Sequence, residues 1–191
     1  MKNLIIFFLL LFSTLHLYSQ IKQQPNDIWQ AKEFSKDISL FRAKSYLFQY
    51  VLGANEKTIE FSVIPLAAAS SGELTTLIYK CESLGKEGLI LGFYGDYWNK
   101  SGVLYQGYAF KSLDKNTATQ FLEKLSKEME VHENFLKSDK DNNNIFFKYE
   151  DMEVLIWFDT TYKLRIFWNN FDSTWEYLAF SKSKRRFERN L

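Results

Sequence analysis

The sequence predicts an α+β fold, a largely antiparallel sheet of about eight strands packed with two long helices. Three observations predict it: eight short β-rich runs joined by polar turns, two amphipathic helical patterns, and an internal echo at an offset of seventy residues. The echo is consistent with two α-β-β-β-β units in tandem.

The chain opens "MKNLIIFFLLLFSTLHLYSQ", in which Lys2 gives a short positive region and Leu4 to Phe12 an apolar run. This reads as a secretory signal peptide over residues 1–19, cleaved after Ser19. The run falls short of the roughly 20 apolar residues that a membrane span needs. Its removal from the 191-residue chain leaves residues 20–191 as a single α+β domain, exported to the periplasm or beyond the cell and bacterial in style.

Between Ile28 and Leu52, the positions Ala31, Phe34, Ile38, Phe41, Ser45, Phe48 and Leu52 recur at spacings of three and four. They predict one face of a long helix that starts near Asn26 or Asp27 and is stopped by Gly53. Its second half, "SYLFQYVL", also carries strand propensity, which leaves 45–52 open between helix and strand. Four strand-like runs follow, "TIEFSVIP", "LTTLIYKC", "GLILGFYG" and "VLYQGYAF". In the next stretch, Leu122, Leu125, Met129, His132 and Leu136 share a helical face. Thr117 with Gln120 forms one candidate cap for that helix, and Asp114 is the alternative.

"NIFFKYE", "MEVLIWFD" and "YKLRIFW" then read as strands, and "STWEYLAF" is ambiguous between helix and strand. The seventy-residue offset lays "YWNKSGVLYQGYAF" on "FWNNFDSTWEYLAF" without a gap, matching Trp98 with Trp168, Asn99 with Asn169 and Phe110 with Phe180. Taken literally, it makes Thr174 to Phe180 a strand. The arrangement expected is a bent or split antiparallel sheet with both helices on one side.

The chemistry is sparse. The chain holds 24 basic and 23 acidic residues, and loss of Lys2 with the signal balances them, which argues against general nucleic-acid binding. Cys81 is the only cysteine, so no internal disulfide can form, and its place on an apolar strand suits a small buried hydrophobe. His132 sits on an apolar helix face, where a partly buried core histidine is expected. The sequence carries no HExxH, no GxSxG and no Gly-rich phosphate loop.

"DKDNNNIFFKYE" resembles an EF-hand calcium loop over twelve residues, with Asp139, Asp141 and Asn143 at positions 1, 3 and 5 and Glu150 at position 12. Asn144 stands where that loop has Gly, and the following residues alternate like a strand. A solvated helix-to-strand turn is the competing explanation. The tail "SKSKRRFERNL" is basic enough to contact an anionic surface, or it is simply a solvated end. "NKS" at Asn99 matches a glycosylation sequon.

The function expected is a non-enzymatic binding or interaction module for a glycan or protein partner. Its candidate contact surface is the aromatic turns: Asp96, Tyr97, Trp98 and Asn99 in one copy, Trp168, Asn169 and Trp175 in the other. Cross-strand packing of the same aromatics is the structural alternative. The second functional expectation is a carboxylate-dependent hydrolase of glycans outside the cytoplasm, drawing on turn acids such as Glu73, Asp96 and Asp172.

Overall fold

Period-two alternation in the β-rich runs builds two antiparallel meanders, each led by a helix. The computed structural model describes residues 29–30, 36–53, 56–98 and 101–191. The signal segment 1–19, the expected helix start at Asn26 or Asp27, and Asn99 lie outside the described residues; Trp29–Gln30, expected within that helix, instead pair with a strand of the first sheet.

A two-residue strand β1 (Trp29–Gln30) is followed by helix α1 (Lys36–Tyr46), a π-helical turn (Leu47–Val51), and strands β2 (Ser62–Pro65), β3 (Leu74–Cys81), β4 (Lys86–Trp98) and β5 (Leu104–Asp114). Helices α2 (Lys115–Val131) and α3 (Glu133–Ser138) lead to β6 (Asn144–Tyr149), β7 (Met152–Phe158), β8 (Tyr162–Trp168) and β9 (Phe171–Glu176), and helix α4 (Tyr177–Asn190) ends the chain. The first sheet has order β1-β5-β4-β3-β2 and the second β6-β7-β8-β9, antiparallel throughout. Apart from β1, each unit is a helical segment, broken into α2 and α3 in the second unit, followed by a four-stranded meander. The expected α+β architecture and its tandem units are therefore present, the sheet being split rather than bent, and the helices are of ordinary length.

The helices do not share a side. Helix α1 covers one face of the first sheet, where Ala43, Tyr46 and Leu47 meet Leu77, Tyr79, Cys81, Ile90 and Phe110. On the other face Phe121, Leu122 and Leu125 of α2 join Ile78, Leu89, Leu91 and Phe93, together with the inner face of the second sheet and α4. The first sheet is thus the central layer, apolar on both faces. That explains why β3 and β4 read as nearly continuous hydrophobic runs.

Segment 45–52 is helical, and Gly53 at φ 81° stops it. Its buried stripe differs from the one expected. Phe41 and Phe48 are 66% and 45% exposed, while Ala43, Tyr46 and Leu47 turn inward. Two apolar stripes compete on this helix, and the stripe carrying Tyr46 wins because its ring packs on Phe110 and its hydroxyl lies 3.2 Å from Ser112 Oγ.

In α2, Asp114 is the N-cap: its carboxylate accepts the Thr117 N–H at 2.9 Å and the Thr117 hydroxyl at 3.0 Å. The Thr117/Gln120 capping box does not form. The helix breaks at His132, which sits half-exposed at the junction with Nε2 3.4 Å from a Glu128 oxygen.

The segment 174–180 divides between two elements: β9 ends at Glu176 and α4 begins at Tyr177. Trp98 pairs with Leu104 across a five-residue connection, whereas Trp168 pairs with Phe171 across two residues, Asn169 and Asn170, both at positive φ. The second hairpin is three residues shorter, so the gapless alignment drifts by three after the turn. Ala109 and Phe110 therefore lie in a strand, while Ala179 and Phe180 lie in a helix. The basic tail is likewise no loose end, because Phe180, Ser183 and Phe187 bury one side of α4.

The loop between β2 and β3 ties the two units. Glu176 accepts the Ser70 N–H at 3.1 Å and the Ser70 hydroxyl at 2.7 Å; Glu73 accepts the Thr174 N–H at 2.8 Å; and Arg186 donates to Leu66 O at 2.8 Å. Ser183 Oγ reaches Thr76 Oγ1 at 2.8 Å in the buried seam. Burial pushes the Glu176 carboxyl up, but its bonds to Ser70 and Ser71 outweigh that and hold it below the usual range. Folding therefore weakens proton binding here, so the stabilisation is full above about pH 4 and is lost as pH falls through the depressed folded value. Glu176→Ala is expected to cost about 1–2 kcal/mol at pH 7. That loss should shrink in urea melts below pH 4.

Candidate functional site

A cleft of about 700 Å³ opens where the π-helical turn, the β3–β4 connection and the β5–α2 junction meet. Tyr50, Tyr79, Lys86, Glu87, Ser112, Asp114, Lys115 and Asn116 supply its polar groups. They come from five elements, the π-helical turn, β3, β4, β5 and α2, and the register of the first sheet collects those on the strands. Tyr79, Gly88 and Asp114 stand side by side on β3, β4 and β5.

Gly88 permits this arrangement. A Cβ there would lie 2.1 Å from Leu113 O, 2.8 Å from the Tyr79 hydroxyl and 3.0 Å from Asp114 Cα. With no side chain in the way, the Tyr79 phenol extends over β4 toward the cleft. The π-helical turn widens the end of α1 on the opposite wall, bringing in Tyr50, whose ring centroid is 5.4 Å from that of Tyr46. Lys86 donates to Val51 O at 2.5 Å, fixing the β3–β4 connection to that turn.

The charges in the cleft balance, with Lys86 and Lys115 against Glu87 and Asp114. Glu87 pairs with Lys115 at 2.8 Å. The Thr117 N–H holds the Asp114 carboxyl below its usual range despite burial. Burial, followed by the negative charge of Asp114, pushes the Tyr79 phenol up to about 12. Tyr79 is therefore a neutral hydroxyl at physiological pH, suited to donating or accepting a hydrogen bond and unsuited to acting as a base. Because the folded value lies above the unfolded one near 10, stability attributable to Tyr79 is full below about pH 10 and is lost as pH rises toward 12. Tyr79→Phe is expected to flatten the decline in stability across that window. Thermal melts at stepped alkaline pH check this.

The aromatic turns have different surroundings. Trp175 is fully buried, its ring edge-on to Phe180 at 5.2 Å, and its Nε1 has no hydrogen-bond partner among the described residues. Trp168 is also buried, its ring tilted against Phe93 with centroids 5.0 Å apart. Its indole N–H donates to Asp151 at 2.9 Å, and Lys111 bonds the same carboxylate at 2.6 Å. Burial pushes the Asp151 carboxyl up, and these two donors outweigh it and leave it depressed. Both rings therefore brace the joint between the sheets. Asn169 occupies the tight β8–β9 turn at φ 50°, beside an open groove of about 340 Å³ that also includes Asp151, Glu153 and Asp172. Asp96 is exposed near the end of β4, and Tyr97 and Trp98 close that strand.

The acids of that groove are engaged: Glu153 pairs with Lys148 at 2.7 Å and Asp172 with Arg165 at 2.6 Å. Glu73 is committed to the β9 backbone. In the loop resembling a calcium site, Asn143 turns its amide back to Phe135 O at 2.7 Å and Ser138 Oγ at 3.0 Å, and Asp139 accepts from the Asn142 amide at 3.0 Å. Asp141 takes positive φ and donates its N–H to Phe158 O. Glu150 lies beyond the β6 strand and faces Lys111 at 3.6 Å. Asp139, Asp141 and Asn143 thus close a helix-to-strand turn, and among the described residues no three His, Cys, Asp or Glu side chains converge to hold a metal.

Sequence reasoning missed the cleft because its members are scattered from Tyr50 to Asn116. Two signals were present: the Asp114 cap and the glycine at the start of "GLILGFYG". Among the described residues no helix is long and apolar enough to cross a membrane. Compared with protein-family models, curated proteins and solved structures, the chain matches none.

Proposed function

We propose that the chain is an exported, non-enzymatic binding module that holds a short neutral glycan in the cleft between the π-helical turn and the start of α2. The observation that carries this reading is the cleft's chemistry. Two cations balance two carboxylates, and phenol, hydroxyl and amide groups converge on a volume suited to a few sugar rings. A charged ligand gains little from such a site. A polyhydroxylated one finds both donors and acceptors, with Tyr50 as a ring to stack on.

Hydrolysis is the weaker alternative. The carboxylates near the cleft are committed, Glu87 to Lys115 and Asp114 to the helix cap. Glycoside cleavage asks for one acid that retains its proton and a second poised across the bond. Location in the periplasm or outside the cell rests on the N-terminal signal pattern.

Calorimetric titration with maltotriose, cellotriose, laminaritriose and chitotriose tests the proposal. At least one should bind with a dissociation constant of about 1 mM or tighter, and Asn116→Ala and Tyr50→Ala should each weaken it about tenfold. Asn169→Gly, at the distant turn, should leave it unchanged. Failure of all four sugars, or release of reducing ends from any of them, contradicts the proposal.

A further inference from the structure

The basic residues of the C-terminus acquire a direction once they are wound into α4. The helix carries Lys182, Lys184, Arg185, Arg186 and Arg189 against Glu188 alone, a balance of +4. The whole chain is +1, so the remainder is −3. At about 100° per residue, Leu178, Lys182, Arg185, Arg186 and Arg189 fall within roughly 100° of arc, opposite the buried Phe180, Ser183 and Phe187. Glu188 falls outside that arc and pairs with Lys184 at 3.2 Å.

All five residues of the arc are exposed, Leu178 at 67%. Among the described residues no acidic group pairs with Lys182, Arg185 or Arg189. Arg186 stiffens the stripe, since its guanidinium bonds Leu66 O at 2.8 Å and holds the helix to the β2–β3 loop. The buried Thr76 and Ser183 contact below it fixes the same helix from inside.

We infer that this face of α4 docks the protein on an anionic, phosphate-bearing lipid surface. Charge complementarity selects the occupant. The cations form a rigid stripe on one side of a body that is otherwise net negative, so an anionic plane attracts this face and repels the rest. Leu178 sits exposed at the start of the stripe, where a shallow apolar contact with the headgroup layer supplements the charges. Each cation held near such a surface strengthens adsorption about fivefold, so the three without acidic partners together contribute about a hundredfold. Binding of this kind is reversible and salt-sensitive.

Co-sedimentation with phosphatidylcholine vesicles, with and without phosphatidylglycerol as about a third of the lipid, tests the inference. The full chain should sediment with the anionic vesicles at low salt, stay in solution with pure phosphatidylcholine, and be released at high salt. A Lys182→Glu, Arg185→Glu, Arg189→Glu variant should lose more than about a hundredfold in partition while keeping its melting temperature within a few degrees, because all three side chains are exposed. A Lys148→Glu, Lys163→Glu variant, altered on the second sheet, should sediment as the parent does. Equal sedimentation of the α4 variant and the parent overturns the inference. So does capture of the parent on an acidic polysaccharide column with no sedimentation on anionic vesicles.

Discussion

Gly88→Ala is expected to lower stability by about 3 kcal/mol, at the upper end of the usual cost of overpacking, and to abolish ligand binding in the cleft. The new Cβ would meet Leu113 O at 2.1 Å and Asp114 Cα at 3.0 Å, and both are backbone that no rotamer change can move aside. Strands β4 and β5 must separate locally to admit it. The third contact, at 2.8 Å, is with the Tyr79 hydroxyl, so the same methyl group also displaces a cleft residue. Gly95, on the same strand, provides the internal comparison, because a Cβ there meets nothing within 4 Å. Gly95→Ala should change stability by no more than about 0.5 kcal/mol. Urea denaturation of both variants measures the difference directly. Equal small effects would mean that the close approach of Tyr79, Gly88 and Asp114 does not exist in solution.

Trp175→Ala is expected to cost about 3–5 kcal/mol, the loss of a fully buried indole plus the cavity it leaves. The ring lies in the core shared by the first sheet, the second sheet and α4. Trp175→Phe should be much milder, at about 1.5 kcal/mol or less, because an aromatic ring remains and the buried Nε1, which lacks a partner, is removed. The contrast separates a bracing residue from a contact residue. A contact residue would lose ligand and keep its stability on truncation to Ala. Guanidinium melts of the two variants decide between them, and a loss below 1 kcal/mol for Trp175→Ala would place the indole outside the core.

Much of the fold was legible because local pattern and tertiary environment agree. The β3 and β4 runs are apolar on both faces because the first sheet is covered on both faces. Helix α2 reads clearly, since Leu122, Leu125 and Met129 form a single stripe without a rival. The inward face of helix α1 is not legible in the sequence, because Phe41 and Phe48 offer a second stripe and only the partner surface around Phe110 and Ser112 chooses between them. The boundary at Glu176 was hidden for another reason. The aromatic density that suggested a strand in "STWEYLAF" serves a strand up to Trp175 and a helix face from Phe180 onward.

The candidate site was less legible than the fold. Trp168, Asn169 and Trp175 attracted notice as residue types, yet aromatic side chains brace sheets as readily as they bind ligands. Asp139, Asp141 and Asn143 have calcium spacing, and in the fold Asp139 and Asn143 take part in hydrogen bonds around the turn. The cleft depends on strand register, on one glycine without a Cβ and on a π-helical turn, none of which has a contiguous signature. Spacing along the chain carries no information about Tyr50 and Asn116 meeting across sixty-six residues.

Amide chemical-shift mapping during titration with the tightest-binding trisaccharide tests the cleft most directly. The expected result is a cluster of shifts at Tyr50, Val51, Gly85, Lys86, Lys115 and Asn116, with the β8–β9 turn silent. Shifts centred on Asn169 to Asp172, or none at saturating sugar, would contradict a glycan site in the cleft.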